Sequence, residues 1–246
     1  MSDAQDIRLT PPYAEPQAPP GALGSGYHAT LDRVEDYFDR TATQTWERLT
    51  SDAPVSGIRA TVRAGRERMR GVFLYQLPED LTGLRILDAG CGTGALSTEM
   101  ARLGAEVVGV DISPQLIDIA QRRKPKDLKG SISYVAGDML DPALGVFDHI
   151  VAMDSLIYYS AKDIGRILDK IEPRLRKTMV FTVAPRTPML MAMWKAGKLF
   201  PRADRSPTMI PHSPRKIAEA TQSGAVNTLE RVTSGFYISQ ALEFRP

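Results

Sequence analysis

The sequence predicts a doubly wound α/β domain with a mostly parallel seven-stranded sheet, an antiparallel last strand and a helical lid at the amino terminus. Three observations support this fold class. From Leu84 onward, short apolar segments alternate with helical ones, as they do in parallel β-α-β units. A glycine-rich turn lies between the first of these strands and the helix that follows it. Two strand-like segments near the carboxyl terminus are separated by Gly235, which suits an antiparallel pair.

Seven segments have the apolar composition of strands. They are Arg85 to Ala89, Glu106 to Asp111, Ser131 to Val135, His149 to Met153, Thr178 to Ala184, Asn227 to Ser234 and Phe236 to Phe244. Helices are predicted between strands at Ala95 to Leu103, Pro114 to Arg123 and Ala161 to Leu175. Ser213 followed by Pro214 indicates the start of a later helix, since serine is favoured as an N-cap and proline at the first helical position. This order favours one catalytic domain.

The region before the first strand divides into a tail and a lid. Residues 1–29 are rich in proline and glycine and are predicted to be a disordered tail, because they cannot bury enough apolar surface to become ordered. Two helices are predicted near Leu31 to Leu49 and Ile58 to Tyr75, so residues 30–76 form a helical lid over a site. Residues 77–246 form the main domain, with a substrate-binding insertion at about 186–212.

The composition indicates an ordinary globular protein. The 246 residues are 43% hydrophobic and 24% charged, and 31 basic against 29 acidic residues give a formal net charge of +2. A nucleic-acid partner is disfavoured because this charge offers no broad basic surface. Cys91 is the only cysteine and the amino terminus has no signal-peptide core, so a cytoplasmic location is expected. The most apolar run, Met189 to Trp194, is far shorter than the ~20 residues of a membrane span, which leaves at most peripheral membrane contact.

The motif with the clearest chemistry runs from Asp88 to Gly94. Its members Gly90, Gly92 and Gly94 allow a sharp turn and a close approach of the backbone to a ligand. Read from Gly90 to Ala95, the same letters satisfy a loose dinucleotide pattern, so the loop alone does not separate a nicotinamide cofactor from S-adenosylmethionine. A tight turn without a ligand is the structural alternative. Cys91 is interpreted as a small loop residue that contacts the cofactor, since no base is adjacent to it in sequence.

Two further carboxylates follow the second and third strands. Asp111, which precedes Ile112, is placed to accept hydrogen bonds from both ribose hydroxyls of a nucleoside. Asp138 and Met139 are placed for an adenine amino group and the adenine ring face. Each aspartate could equally be a helix cap or a turn residue. Their joint position at successive strand ends favours the binding interpretation.

This ordered series resembles the class I S-adenosylmethionine-dependent methyltransferases, whose fold is Rossmann-like. The resemblance covers about residues 84–244 and includes Asp88 to Gly94, Asp111, Asp138 and the strand from Phe147 to Asp154. It implies S-adenosylmethionine as the methyl donor, with Met153 and Asp154 at the cofactor site.

A narrower resemblance extends over nearly the whole chain beyond the tail. The sequence is similar to the magnesium-protoporphyrin IX methyltransferases in the segments Tyr37-Phe38-Asp39 with Trp46, Arg63-Ala64-Gly65, Asp88 to Gly94, Asp154 to Tyr159, Ala184-Pro185, Leu199-Phe200-Pro201, His212 and Phe236 to Ser239. The resemblance implies methylation of one porphyrin propionate in chlorophyll or bacteriochlorophyll synthesis, and contact with magnesium chelatase. Many family members have histidine where this chain has Tyr158. A mechanism that uses that histidine as the catalytic base therefore does not carry over to this chain. Magnesium belongs to the substrate, and no protein-bound metal is expected.

The proposed substrate suggests roles for two tyrosines and for the insertion. A propionate is ionised at neutral pH, so Tyr37 and Tyr158 are candidate catalytic residues that donate hydrogen bonds or form a ring wall without acting as bases. Apolar side chains at Met189, Met193 and Trp194 suit a flat macrocycle, and His212 could approach the substrate magnesium. Ordinary core packing is the alternative for each of these residues.

Four arginines share one face of the second predicted helix. Arg59, Arg63, Arg66 and Arg70 are spaced by four, three and four residues. Arg63 lies in the family-like stretch and is the candidate for binding a carboxylate of the cofactor or of the porphyrin. A solvated basic face is the alternative.

Two other functions remain open at this point. One is O-methylation of another small carboxylic acid or phenol. The other is a catalytically idle S-adenosylmethionine-binding partner in a pigment-pathway complex. Nucleic-acid methylation is least favoured, because Asp154 to Ile157 lacks the Asn/Asp-Pro-Pro-aromatic motif of amino-base methyltransferases.

Overall fold

The computed structural model describes residues 24–39, 43, 47, 50, 57–188, 190–191 and 207–246. The helices are α1 (Ser25–Tyr37), α2 (Ile58–Tyr75), α3 (Ala95–Arg102), α4 (Pro114–Arg123), α5 (Ala161–Ile171) and α6 (Pro214–Ala218). The strands are β1 (Arg85–Ala89), β2 (Glu106–Asp111), β3 (Ser131–Ala136), β4 (Phe147–Ala152), β5 (Leu175–Val183), β6 (Ala225–Ser234) and β7 (Tyr237–Arg245). Short 3-10 turns occupy Pro142–Leu144, Leu156–Tyr158 and Glu172–Arg174.

The strands form one seven-stranded sheet in the order β3-β2-β1-β4-β5-β7-β6. Neighbours from β3 to β5 pair in parallel, and β7 runs antiparallel to both β5 and β6. The predicted fold class is confirmed. The direction of winding reverses between β1 and β4, and ligands of open α/β sheets bind in the crevice outside the carboxyl ends of strands at such a reversal.

Two apolar cores cover the opposite faces of the sheet. Successive residues of a strand point to opposite faces, and in β1 Leu87 belongs to the core beneath α5 whereas Ile86 belongs to the core beneath α2, α3 and α4. The α2 residues Met69 and Phe73 are fully buried there. Helix α2 is therefore an integral part of one face of the sheet.

The close approach of α2 to β7 depends on Gly65. A Cβ atom at this position would lie 2.5 Å from Cδ1 of Tyr237, which is closer than real contacts allow. The glycine of the family-like stretch thus lets the helix backbone lie directly on the Tyr237 ring.

Helix α5 is shorter than the predicted segment from Ala161 to Leu175. It starts at the N-cap Ser160, whose Oγ accepts the backbone N–H of Asp163 at 3.2 Å, and it ends at Ile171. Leu175 continues the helical spacing of Ile167 and Ile171 in sequence, but it is the first residue of β5. The helix cannot continue between them because Pro173 has no N–H and its ring would clash with the preceding turn.

Helix α1 starts before the predicted boundary at Leu31 and includes residues assigned to the tail that ends at residue 29. Tyr27 is fully buried, its ring stacks on Tyr159 with centroids 5.2 Å apart, and its hydroxyl donates to Asp138 Oδ1 at 2.7 Å. Local composition missed this start because tertiary contacts made by one aromatic side chain fix it. No helix within the described ranges is long and apolar enough to cross a membrane.

Candidate active site

A cavity opens at the carboxyl ends of β1, β2 and β4. Helix α1 and the loops after these strands enclose it. Its lining comprises Leu31, Val34, Phe38, Thr50, Arg66, Gly90, Cys91, Gly92, Thr93, Val110, Asp111, Ile112, Leu116, Gly137, Met139, Met153, Asp154, Ser155, Tyr158 and Tyr159. Eight residues of the predicted site are thereby brought together, namely Gly90, Cys91, Gly92, Asp111, Ile112, Met139, Met153 and Asp154, and Tyr158 joins them.

The glycine loop has the backbone geometry that its sequence requires. Gly90, Gly92 and Gly94 have φ angles of 81°, 55° and 80°, in the left-handed region that favours glycine. A Cβ atom at Gly90 would collide with Cβ of Ser155, and one at Gly94 would collide with the Tyr134 hydroxyl. A Cβ atom at Gly92 would meet nothing within 4 Å, so the loop leaves open space beside Gly92, whereas Gly90 packs against Ser155 and Gly94 against Tyr134.

The Asp111 carboxylate holds the glycine loop and faces the cavity. Its Oδ2 accepts the N–H of Gly92 at 2.8 Å and its Oδ1 accepts the N–H of Ser113 at 3.0 Å. Burial raises the pKa of this carboxyl to about 6. Each oxygen retains acceptor capacity beyond its backbone bond, which suits a pair of ribose hydroxyls.

Asp88 lies beneath the loop and is buried. The Ser97 hydroxyl donates to its Oδ2 at 2.6 Å, and burial raises the pKa of the carboxyl to about 7. Asp88 lines a second, smaller cavity, which shares six lining residues with the first, namely Thr50, Arg66, Gly90, Cys91, Thr93 and Met153. This second cavity also contains Arg66 and Arg70, which give it a cationic wall.

Asp138 has a different environment from the one predicted. Its Oδ1 accepts the Tyr27 hydroxyl at 2.7 Å and the N–H of Leu140 at 2.9 Å, and the residue is not among those lining either cavity. Its neighbours Gly137 and Met139 do line the larger one. Contact of Asp138 with an adenine amino group remains a prediction.

Asp154 connects four elements at the wall of the cavity. It has a φ of 61°, the one positive value among the described residues other than glycine. The Tyr237 hydroxyl donates to its Oδ1 at 3.0 Å, the Thr182 hydroxyl accepts its backbone N–H at 2.7 Å, and Arg66 forms an ion pair with its Oδ2. These contacts hold an unfavourable backbone conformation at the end of β4.

Arg66 contacts both cavities, whereas carboxylate binding was predicted for Arg63. Arg66 lines both cavities, whereas Arg63 lies one turn earlier on α2, is half-buried and is not among the lining residues of either. Arg70 lines the smaller cavity and pairs with Glu99 at 2.9 Å. This face of α2 therefore reaches the cavities through Arg66 and Arg70, and binding of a ligand carboxylate by Arg63 remains a prediction.

The two candidate tyrosines differ in their relation to the larger cavity, which only Tyr158 of the two lines. Burial raises the pKa of the Tyr158 phenol well above its usual range, and the charges of Asp154 and Tyr37 raise it further, so the hydroxyl stays protonated at neutral pH. Tyr37 is half-buried and its ring meets that of Phe38 edge to face, with centroids 5.2 Å apart. Phe38 lines the cavity and Tyr37 does not.

The predicted substrate residues of the insertion divide into two groups. Met189, Met193 and Trp194 lie outside the described residues. His212 is buried, its Nε2 is 2.8 Å from the carbonyl oxygen of Tyr159, and its backbone N–H donates to the Ala184 carbonyl at 2.8 Å. His212 does not line either cavity, so the structure supports its structural alternative of fastening the end of the insertion to β5. No group of three metal-ligating side chains occurs in the part of the chain that the structure describes.

Sequence reasoning missed several residues of the site. Thr93, Ser155 and Tyr159 lie within motifs that the sequence made recognisable. Whether each side chain faces the cavity depends on the direction that the backbone takes after the strand, which the motif alone does not show. Phe38 and Arg66 come from separate helices that only the tertiary fold brings together. The family-like segments contained all of these residues except Arg66.

Comparison with known proteins identifies the family. Residues 152–246 match the family described as "Magnesium-protoporphyrin IX methyltransferase C-terminus", and residues 86–178 match "Methyltransferase domain". The magnesium-protoporphyrin O-methyltransferase of Rhodobacter capsulatus is 57% identical over 225 residues, which cover 91% of this chain and 100% of that protein. The chain belongs to the magnesium-protoporphyrin O-methyltransferase family.

Other members of this family agree in sequence and in fold. The magnesium-protoporphyrin O-methyltransferase of Synechocystis is 27% identical over 216 residues, covering 85% of this chain and 94% of that protein. The crystal structure of the magnesium protoporphyrin IX methyltransferase of Synechocystis PCC 6803 with bound SAH has a TM-score of 0.75 at 26% identity, and it covers 87% of this chain and 98% of that chain. The order and direction of the strands are those of a class I methyltransferase.

Proposed function

We propose that this chain transfers a methyl group from S-adenosylmethionine to one propionate of magnesium protoporphyrin IX, giving the monomethyl ester and S-adenosylhomocysteine. The observation that carries the proposal is the 57% identity to the Rhodobacter capsulatus magnesium-protoporphyrin O-methyltransferase over the whole length of that protein. The cavity beside the glycine loop supports it. S-adenosylmethionine supplies an electrophilic methyl group on a sulfonium.

The cavity provides complementary groups for each part of the methyl donor. The Asp111 carboxylate would accept the ribose hydroxyls, and the apolar side chains of Ile112, Leu116 and Met139 would surround the adenine ring. The methionyl carboxylate would lie in the smaller cavity against Arg66 and Arg70, because guanidinium groups suit a carboxylate. The glycine loop lines both cavities and would contact the methyl donor between its ribose and its methionyl carboxylate. Asp88 and Gly94 would act by shaping this loop.

The reaction makes modest demands on the protein. A propionate has a reference pKa near that of glutamate, about 4.3, so it is ionised at neutral pH and needs no base. A carbon–oxygen bond forms as the carbon–sulfur bond breaks, and the bonding pair of electrons goes to sulfur. The protein must align the three reacting atoms and exclude water from the carboxylate. Phe38 and Tyr159 supply apolar walls, and Tyr158 supplies a protonated hydroxyl.

Tyr158→Phe tests whether that hydroxyl is a positioning group or an essential acid or base. We expect the variant to retain methyl transfer with kcat about threefold to tenfold lower, because it loses one hydrogen bond to an anion that is already ionised. The measurement is steady-state kinetics with porphyrin as the varied substrate. Complete loss of turnover in a folded variant that still binds S-adenosylhomocysteine would show instead that the hydroxyl is chemically required.

The activity itself is tested by incubating the protein with S-adenosylmethionine and magnesium protoporphyrin IX and measuring product mass. The proposal predicts a gain of one methyl group, together with stoichiometric S-adenosylhomocysteine. Methylation of other small carboxylic acids or phenols in preference to the porphyrin would favour the alternative enzyme. Cofactor binding without turnover would favour the catalytically idle partner.

The proposal extends to the cellular setting that the resemblance implied. Receipt of the porphyrin by contact with magnesium chelatase, a cytoplasmic location and peripheral membrane contact all remain predictions. Co-purification of this chain with magnesium chelatase subunits, with and without porphyrin, tests the first of them.

A further inference from the structure

The Ser155 hydroxyl is a buried polar group at the edge of the larger cavity. Its Oγ has essentially no exposed surface and makes no hydrogen bond to any residue that the structure describes. Buried side-chain hydroxyls nearly always have a partner, and leaving one unpaired is unfavourable. Other atoms of the residue line the cavity, and a change of its side-chain rotamer would turn the hydroxyl towards an acceptor that a bound ligand supplies.

The position of Ser155 is set by its strained neighbour. Asp154 adopts a φ of 61° and is held there by Arg66, Thr182 and Tyr237. The backbone turns at this point and brings the Ser155 side chain against Gly90, where any larger residue would collide with it. Strain that several side chains maintain is typical of functional sites. Here its consequence is a fixed position for the Ser155 side chain beside Gly90.

The location of Ser155 distinguishes between the two carboxylates present in the reaction. Ser155 lines the larger cavity together with Tyr158 and Tyr159. It is not among the residues that line the smaller cavity, where Arg66 and Arg70 suit the methionyl carboxylate. The propionate is the other anion, and it must approach the methyl group from the larger cavity.

We propose that Ser155 donates a hydrogen bond to the propionate oxygen that is not methylated, and so positions the other oxygen for attack on the methyl group. This role rests on the proposed function. A hydroxyl donates well to an ionised carboxylate, and such charge-assisted bonds are stronger than neutral ones. In the free protein the same hydroxyl is unpaired, so its presence favours catalysis at the expense of stability.

Ser155→Ala tests the proposal against a matched serine that has only a structural role. We expect kcat/KM for the porphyrin to fall about tenfold, affinity for S-adenosylhomocysteine to stay within about twofold of wild type, and the Tm of the ligand-free protein to be unchanged or higher. Ser160→Ala is the control, because Ser160 caps α5 through Asp163. It should lower the Tm and leave kcat/KM for the porphyrin unchanged.

Two outcomes would overturn the inference while leaving the proposed function intact. One is a wild-type kcat/KM in Ser155→Ala, and the other is a loss of S-adenosylhomocysteine affinity that accounts for the whole effect. Ser155→Cys replaces the hydroxyl by a weak donor on a slightly larger side chain, so it should resemble alanine in kcat/KM. Wild-type behaviour of Ser155→Cys would also count against the hydrogen bond. If the wild-type protein itself does not methylate the porphyrin, the proposed function fails first.

Discussion

Replacing Arg66 with glutamine is expected to lower kcat/KM at least about 100-fold, equivalent to about 2.7 kcal/mol of transition-state stabilisation. Two effects combine in this variant. The smaller cavity loses one of the two guanidinium groups that line it, which weakens binding of the methionyl carboxylate. The substitution also leaves Asp154 without its ion-pair partner, and the two side chains are only 17% and 11% exposed, so solvent replaces that interaction poorly. Cofactor affinity from calorimetry and kcat/KM should fall together.

Other arginines of α2 provide the controls. Arg66→Lys keeps the charge but not the planar fork, so we expect an intermediate loss. Arg59 is exposed on the same helix, and Arg59→Ala should behave as wild type. Arg63→Ala tests the sequence-based prediction that Arg63 binds a carboxylate against the assignment of that role to Arg66. A larger effect at Arg63 than at Arg66 would contradict the assignment of the carboxylate site to Arg66.

Replacing Asp111 with alanine should weaken S-adenosylmethionine binding about tenfold to 100-fold, or about 1–3 kcal/mol, the usual cost of leaving buried hydrogen-bond partners unmatched. The variant loses the acceptors for the ribose and also frees the N–H groups of Gly92 and Ser113. The glycine loop therefore loses its support together with the ligand contact. Isothermal titration calorimetry with S-adenosylhomocysteine measures the change directly.

Asp118 is the matched control for Asp111, because it is an exposed aspartate on α4. Asp118→Asn should bind with wild-type affinity. Asp111→Asn keeps one acceptor oxygen and should lie between alanine and wild type. An Asp111→Ala variant that is folded and binds with unchanged affinity would remove Asp111 from the ribose site.

The main-domain strands were predictable because their signals are local. Apolar segments bounded by glycine and aspartate gave the limits of β1 and β2 as they occur in the structure. The end of α5 was less predictable, since Leu175 continues a helical pattern into a strand. Only the proline between them indicates the break.

It was harder to predict which arginine on one face of α2 reaches the cavities. Arg63 and Arg66 lie on one face of α2, and sequence spacing cannot tell which of them faces the glycine loop. The packing of Gly65 on Tyr237 fixes the position of α2 against the sheet and so brings Arg66 within ion-pair distance of Asp154. The buried contacts of Tyr27 and the unpaired hydroxyl of Ser155 likewise exist only once distant segments have come together.

A crystal structure of this protein with S-adenosylhomocysteine and magnesium protoporphyrin IX is the most direct test that the cavity at the ends of β1, β2 and β4 is the methyl-transfer site. We predict that the ribose hydroxyls lie within hydrogen-bonding distance of Asp111 and the methionyl carboxylate beside Arg66. One propionate should lie between Ser155 and the sulfur atom. A nucleoside bound elsewhere, or a porphyrin whose propionates both point away from the sulfur, would contradict the account.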